Sequence, residues 1–131
     1  MDTTTMNRRT TDFTIHVRAI PHFEQRYPTA GDWIIRPDNS IEVRVTRMSR
    51  HGRTQLLIIH EVVEALLCIF SGVSGSTIDD FDMAWAGPGE PGDNLSAPYH
   101  HQHAIASVTE RLAAQLLKVD WNTYNTTVEN L

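Results

Sequence analysis

Apolar and polar residues alternate through the first third of the chain. Residues 12–20 (DFTIHVRAI) are rich in β-branched side chains and predict a strand. A second strand is predicted at residues 32–36 (DWIIR), followed by the turn-forming cluster PDNS. Strict alternation in IEVRVTR predicts a third strand, whose apolar face consists of Ile41, Val43 and Val45. Residues 32–47 therefore predict a β-hairpin packed on one side.

The pattern then changes to a helical one. In LLIIHEVVEALLCIF, from Leu56 to Phe70, apolar residues cover nearly the whole circumference of a helix, which is typical of a buried helix. We expect this helix to start near Arg53 or Thr54 and to end at Ser71–Gly72, with Gly72 as its C-terminal stop.

Two further helices are predicted downstream. SGSTIDDFDMAWAG predicts a short helix, with Ser76 as N-cap and Asp79 three residues later. Residues 87–98 (GPGEPGDNLSAP) are too rich in glycine and proline for anything but a loop. A last helix, from Pro98 or Tyr99 to Val119, carries apolar residues at helical spacing.

Strands precede helices, which is the α+β order. We expect one domain over residues 1–131: a small antiparallel sheet of the N-terminal strand and the hairpin, then a buried helix, a short helix and a long C-terminal helix. Residues 1–11 are predicted to form a flexible arm. The tail beyond Val119 is expected to pack Trp121 and Tyr124 before it frays.

Composition favours a soluble protein. Of the 131 residues, 40% are hydrophobic and 21% charged, and the single cysteine, Cys68, excludes an intramolecular disulfide and fits a reducing compartment. The apolar stretch is predicted to be too short and too interrupted to span a bilayer. The N-terminus has a basic pair but no apolar core, unlike a signal peptide. We therefore expect a cytoplasmic protein without a membrane partner.

Charge is distributed unevenly. Nine of the eleven basic residues lie at or before Arg53, and ten of the sixteen acidic residues follow it. This pattern favours a solvated strand face. The alternative is a nucleic-acid-binding hairpin, which the net charge of −5 and the lack of a recognition helix disfavour. Its arginines would be Arg36, Arg44, Arg47, Arg50 and Arg53.

Three ionisable residues interrupt the apolar helix: His60, Glu61 and Glu64. Charged groups buried without a partner are costly, so they pair, neutralise or bind metal. His60 and Glu64 lie one helical turn apart on the same face, and Glu61 lies about 100° round the helix. A divalent metal explains this set. The alternative is a hydrogen-bonded pair of His60 with Glu64, with Glu61 reaching solvent or a hairpin arginine.

The last helix offers a third ligand. PYHHQH contains three histidines, and His103 shares a stripe with Glu110. We predict His103 as the third metal ligand, and Glu110 and His100 as further candidate ligands. The apolar stripe Ile105, Val108 and Leu112 lies on the opposite side. The helix is therefore either buried on two sides, or His103 and Glu110 are exposed.

Other acidic residues are given plainer interpretations. Asp79, Asp80 and Asp82 are expected to cap a helix and to interact with its dipole, because they lack the regular spacing of a calcium loop. Glu90 and Asp93 are expected in a surface loop, with a position over the cleft as the alternative.

A sheet followed by a helix bearing HExx(H/E), here H-E-V-V-E, and then by a ligand-bearing helix resembles the minimal zincin-like metallopeptidase core of gluzincin type. The chain is also similar in style to short uncharacterised phage and prophage proteins. The resemblance implies Zn²⁺, or another first-row divalent metal, with His60 as first ligand and Glu61 as general base. Glu64 would replace the second histidine, and His103 would stand where gluzincins place a glutamate ligand.

Three function classes follow. The first is a metal-dependent hydrolase, most simply a peptidase. The second is a catalytically silent metal-binding domain that interacts with a protein or peptide, as a phage-type accessory or inhibitor protein would in the host cytoplasm. The third is the arginine-dependent nucleic-acid binder. The sequence specifies neither substrate nor oligomeric state.

Overall fold

The computed structural model describes residues 12–131, so the predicted arm at residues 1–11 lies outside the described residues. Three strands come first: β1 (Ile15–Ile20), β2 (Gly31–Ile35) and β3 (Ile41–Thr46). The α-helices that follow are α1 (Arg53–Ser71), α2 (Gly75–Ala84), α3 (His100–Leu117) and α4 (Trp121–Glu129). Short 3-10 helices occupy His22–Glu24 and Pro91–Asp93. The predicted α+β class is confirmed.

The sheet is mixed, with strand order β1-β3-β2. The β2–β3 hairpin is antiparallel, as predicted, and Trp33 pairs with Val43. β1 runs parallel to β3, so the prediction of an all-antiparallel sheet was wrong for this pair. The reason is burial: Val43 and Val45 are fully buried, so β3 takes the centre. The largely exposed β1 takes one edge, and residues 21–30 cross to the other edge, where β2 begins.

The polar face of β3 is not solvated, contrary to the one-sided hairpin that alternation predicts. Glu42 is 2% exposed. Arg36 lies 2.5 Å and Arg44 2.7 Å from its carboxylate oxygens, and Arg18 lies 3.8 Å away. Three arginine side chains therefore cover this face and satisfy the buried carboxylate.

Helix α1 packs between the sheet and α3, and its buried arc includes Leu56, Leu57, Ala65 and Cys68. It ends as predicted, at Gly72 in the left-handed region (φ 76°), whose N–H caps the last carbonyls. The outer arc is not buried, because Leu66 is 42% and Phe70 92% exposed. The prediction of burial nearly all round is therefore wrong for this arc.

With 19 residues and a mean hydropathy of 1.6, α1 is long and apolar enough to cross a membrane by length and composition alone. The expectation that the stretch is too short and interrupted does not hold by these two measures. One such helix is weak evidence for a membrane span, since core helices of soluble proteins meet the same criteria. The fold is compatible with a soluble protein.

The start of α2 differs from the prediction. Ser74, not Ser76, caps α2, because its side chain accepts from Thr77 N at 3.2 Å while Ser76 already lies in the first turn. The tail beyond Val119 forms a helix that the sequence analysis did not predict: Asp120 accepts from Thr123 N at 2.9 Å and caps the start of α4. Tyr124 on α4 is 1% exposed, which confirms its predicted packing.

Helix α3 is buried on one side only, and the buried side is the polar one. His103, Ala106, Glu110 and Ala114 face the interior. The apolar stripe on the opposite side is exposed, and its members are Ile105 (55%), Val108 (60%), Leu112 (61%) and Leu116 (87%). Neither alternative drawn from the sequence, burial on two sides or exposure of His103, describes this helix.

Candidate metal centre

His60, Glu64 and His103 converge where α1 packs against α3. His60 and Glu64 project from one face of α1, and small Ala106 on α3 allows close approach of the two helices. One oxygen, Glu64 Oε2, lies 3.1 Å from His60 Nε2 and 3.0 Å from His103 Nδ1. All three residues are buried. The three residues predicted as ligands are thus brought together.

The outward-facing nitrogen of each imidazole contacts a further carboxylate. His60 Nδ1 lies 2.9 Å from Glu110 Oε1, and Tyr124 donates its hydroxyl proton to the other oxygen of Glu110. His103 Nε2 lies 3.0 Å from Asp93 Oδ1 and 3.2 Å from Glu90 Oε2. These contacts fix the orientation of both rings, and they leave the inner nitrogens directed at Glu64.

The network shifts the pKa values of its members. Burial alone would lower the pKa of His60, but hydrogen bonds to Glu110 and Glu64 outweigh it and raise the pKa well above 6.5. For His103, burial is likewise outweighed by the Glu64 and Glu90 hydrogen bonds, and the pKa rises to about 10. Burial would raise the pKa of Glu64, yet the two imidazoles lower it to about 2. Without metal, the flanking carboxylates therefore favour the imidazolium form of both rings.

The donor set fits a zinc ion. Metal–ligand distances of ~2.0–2.2 Å place neighbouring ligand atoms of a tetrahedral site about 3.3–3.6 Å apart. The two nitrogens lie within a few tenths of an ångström of that spacing from Glu64 Oε2, and all three donor atoms lie within 4.8 Å of one another. Glu110, and Asp93 with Glu90, stand where carboxylates commonly orient metal-ligating histidines. Two nitrogens and one carboxylate oxygen, with room for a fourth ligand, form a catalytic type of zinc set.

A second candidate set shares His103, which it would use through Nε2 together with Glu90 and Asp93. A neutral imidazole has only one nitrogen lone pair available for a metal, so the two sets exclude each other unless the ring loses a further proton. The inner set consists of buried residues, whereas the side chains of Glu90 and Asp93 are 39% and 68% exposed. The inner set is therefore the better organised of the two.

Glu61 lies on the neighbouring face of α1, beneath the start of β2. Its side chain passes so close to Gly31 that a Cβ there would lie 2.7 Å from Glu61 Cγ. In the described part of the chain it forms no salt bridge, and no hairpin arginine pairs with it. Burial, and then the charge of Glu64, raise the pKa of Glu61 well above 4.5. A bound cation would oppose both effects and favour the carboxylate.

A groove of about 710 Å³ leads to this centre and is lined by His60, Glu61, Glu64, His103 and Glu110, among others. Its size is typical of sites that bind small molecules or short peptide segments. Asp82 also lines the groove and accepts hydrogen bonds from Tyr99 at 2.5 Å and Tyr27 at 3.3 Å. Burial raises the pKa of Asp82 to about 6.

The remaining candidate residues occupy different positions. Glu110 lies behind His60 as an orienting group and is absent from both candidate metal sets among residues 12–131. His100 points elsewhere, with Nδ1 3.0 Å from Gly92 O. Glu90 and Asp93 contact His103 and line the groove, as the alternative position over the cleft predicts, while their side chains remain partly exposed, as the surface-loop interpretation expected.

The arginines proposed for nucleic-acid binding are partly engaged elsewhere. Arg36 and Arg44 donate to Glu42. Arg53 is buried and donates to Thr127 Oγ1 at 2.9 Å. Arg47 and Arg50 are exposed.

Several residues near the centre carried no sequence signal. Asp82 was interpreted only as a helix-dipole residue, but it faces the groove, while Asp79 is held by Arg26 at 3.0 Å. Gly92 allows its loop to cross the His103 ring, since a Cβ there would lie 2.6 Å from Cγ of that histidine. A glycine permits such a close approach because it has no Cβ, so Gly92 within EPGD is a local hint of it.

No protein-family model, no curated protein and no solved structure matches this chain.

Proposed function

We propose that this protein is a metal-dependent hydrolase of zincin-like type, with Zn²⁺ or another first-row divalent metal held by His60, Glu64 and His103. One observation carries the proposal: each imidazole directs one nitrogen at Glu64 and is oriented from behind by a carboxylate. A simple hydrogen-bonded His–Glu pair needs no second imidazole and no outer carboxylates. A metal site uses all of these groups.

Each residue then has a distinct role. When bound, the metal would lower the pKa of a water ligand and polarise a carbonyl group of the substrate. Glu61 accepts the proton of the attacking water and delivers it to the leaving amine. Glu110 and Tyr124 hold His60 in the tautomer that leaves Nε2 free to bind, and Asp93 with Glu90 does the same for His103 Nδ1.

We propose peptides as the substrate class and the cytoplasm as the location. The groove extends past Tyr27, Tyr99 and Trp121, and their mixed aromatic and polar surface suits a short extended peptide. The lone cysteine, Cys68, is fully buried, which is consistent with a reducing compartment but does not require one.

The second candidate is a catalytically silent metal-binding domain that docks onto another protein, as a phage-type accessory or inhibitor protein would. The specific observation in its favour is the exposed apolar stripe of α3, with Leu66 and Phe70 exposed on α1. Exposed apolar side chains grouped on one helix face are typical of protein-binding surfaces. In this case the metal would stabilise the fold without turnover.

Metal content and the variant Glu61→Gln test the proposal together. Protein purified without chelator should contain close to one equivalent of zinc or another first-row metal. Glu61→Gln should retain that metal and the melting temperature, while losing ~10²–10⁴ in the rate of cleavage of a mixed fluorogenic peptide library. Glu24→Gln is the matched control, because this exposed carboxylate is not among the residues that line the groove.

Each other outcome selects a different function. Absence of metal, even after incubation with zinc, would favour the hydrogen-bonded network. Release of metal by Glu61→Gln would make Glu61 a ligand and overturn the assignment of Glu64. Metal without peptide cleavage would favour the silent docking domain.

A further inference from the structure

A small chamber opens beside Glu61, beneath the start of β2. Its volume is about 20 Å³, and it shares Tyr27, Glu61, Glu64 and Asp82 with the groove. Asp32 forms a further wall of the chamber and is absent from the lining of the groove. A volume of ~10–15 Å³ is the least that holds one water molecule, so the chamber takes one small polar group.

Acceptors dominate the polar lining of this chamber. Asp32 is 5% exposed, and its Oδ2 is 2.7 Å from the donating Arg26 Nε. Its Oδ1 is buried and has no hydrogen-bond partner among the described residues. The hydroxyl of Tyr27 lies 3.3 Å from carboxylate oxygens of both Asp79 and Asp82, so its single proton is already used.

Positive charge is scarce around the chamber. No lysine or arginine is among the described residues that line it. The nearby Arg26 directs its guanidinium nitrogens at Asp32 Oδ2 and at Asp79, and none at Asp32 Oδ1. A buried carboxylate oxygen without a donor, in a lining that holds four further carboxyl groups, calls for a small ligand that brings both protons and positive charge.

A primary ammonium group meets these requirements. It is about the size of a water molecule, carries three N–H donors and has no acceptor. A guanidinium group is larger and planar, and a water molecule brings no positive charge to the carboxylate of Asp82, which has no arginine or lysine partner among the described residues. A metal ion fits less well, since neither candidate metal set among residues 12–131 includes Asp32 or Asp82.

We propose that this chamber, with Asp32 and Asp82 as its anchoring carboxylates, binds a primary ammonium group of the substrate. The inference rests on the proposed function, because the chamber adjoins Glu61, the proposed general base, and Glu64, a proposed metal ligand. Two sources share the chemistry: the N-terminal α-amine of a peptide and the ε-amine of a lysine. An anchored α-amine lies two bonds from the first carbonyl carbon, so the first peptide bond would be presented for cleavage.

Binding is measured by calorimetry on zinc-incubated and on chelator-treated protein, so that the result does not depend on turnover or on metal. The α-amine arm compares tetra-alanine amide with its N-acetylated form. The lysine arm compares acetyl-Ala-Lys-Ala-amide with the same peptide acetylated on the lysine. The variants are Asp32→Asn and Asp82→Asn, which remove charge with little change of shape. The matched control is Asp80→Asn, because Asp80 is an exposed carboxylate of the same helix as Asp82.

In the arm whose amine is the one that binds in the chamber, acetylation of that amine should weaken binding by about tenfold or more. Asp32→Asn and Asp82→Asn should each weaken binding of the free amine similarly, and Asp80→Asn should not. The second variant keeps the test decisive if Asp32→Asn fails to fold without its ion pair to Arg26.

Equal affinity for free and acetylated peptides in both arms, or no binding of either free amine, would overturn the proposal. So would unchanged affinity in the folded variants. Failure of the proposed function gives a different result. The protein would then bind the free amine selectively but take up no metal and cleave no peptide. That outcome would support the ammonium subsite and contradict the proposed hydrolase.

Discussion

Glu110 Oε1 lies 2.9 Å from His60 Nδ1, on the side of the ring turned away from the candidate metal position. The pair joins α3 to α1 across the buried interface, and both residues are 7% exposed. A buried carboxylate in this position fixes the ring, selects its tautomer and increases the basicity of the nitrogen that would bind the metal. This relationship generates the first prediction.

Glu110→Gln should weaken zinc binding by ~10–100-fold without removing any ligand. Glutamine can still accept the Nδ1 proton, but it lacks the charge that increases imidazole basicity. Tyr124→Phe, which removes only the donor to Glu110, should have a smaller effect in the same direction. Competition titration with a chromophoric chelator measures both, and Glu24→Gln, at an exposed carboxylate outside the groove, is the control. An unchanged affinity in Glu110→Gln would show that Glu110 does not act through the metal.

His60→Ala should abolish high-affinity metal binding and also destabilise the protein. Glu64 and Glu110 each lose a hydrogen-bond partner while remaining buried, and one unsatisfied buried group costs about 1–3 kcal/mol. Chemical denaturation and metal analysis report the two effects. His100→Ala is the matched control, since this histidine bonds only to a backbone carbonyl outside the ligand set. Equal losses in both variants would argue against a special role for His60.

The metal-free protein should lose stability as the pH rises. The folded pKa of His103, about 10, is raised above the ordinary 6.5, so its contribution is complete below pH 6.5 and is lost between 6.5 and 10. Glu64 shows the opposite sign: its folded pKa of about 2 lies below 4.5, so its contribution is lost as the pH falls from 4.5 towards 2. Chelator-treated protein should therefore melt highest between about pH 4.5 and 6.5.

Zinc should change this profile, because ligation requires neutral imidazoles and so releases protons. The melting temperature of zinc-loaded protein should hold or increase from pH 6.5 to 8, where that of the metal-free protein decreases. Thermal melts across the pH range, with and without chelator, measure the difference. Parallel profiles would mean that neither imidazole contributes to metal binding.

The sequence was sufficient for the parts of the fold set by local pattern. Alternation identified the hairpin, and the i, i+4 spacing of His60 and Glu64 with the HHQH cluster identified the residues that meet at the site. The parallel pairing of β1 could not be read from alternation, because it depends on which strand is buried at the centre of the sheet. The orientation of α3 was also ambiguous, since its apolar stripe competes with its polar one for the interior.

The sequence did not determine which residues outside α1 and α3 reach the site, for the same reason. Asp32 lies in β2 and Asp82 in the short helix α2, and the spacing of neither residue along the chain indicates the chamber they share. Glu90 and Asp93 lie in a loop whose path depends on the close passage of Gly92 over His103. Such contacts arise from tertiary packing, which has no period along the chain.

Gly31 has no Cβ, and the Glu61 side chain therefore passes directly beside it. A Cβ at residue 31 would lie 2.7 Å from Glu61 Cγ and 2.8 Å from its Oε1, too close to be tolerated without movement. Gly31→Ala should therefore displace the Glu61 carboxyl group, keep the metal, and lower peptidase activity by up to ~10²-fold, since a shift of about 1 Å can have that effect. Metal analysis and the peptide-library assay measure these two effects. Combining Gly31→Ala with Glu61→Gln should reduce the rate no further than Glu61→Gln alone; an additional loss would mean that Gly31 acts on the site by some route other than Glu61.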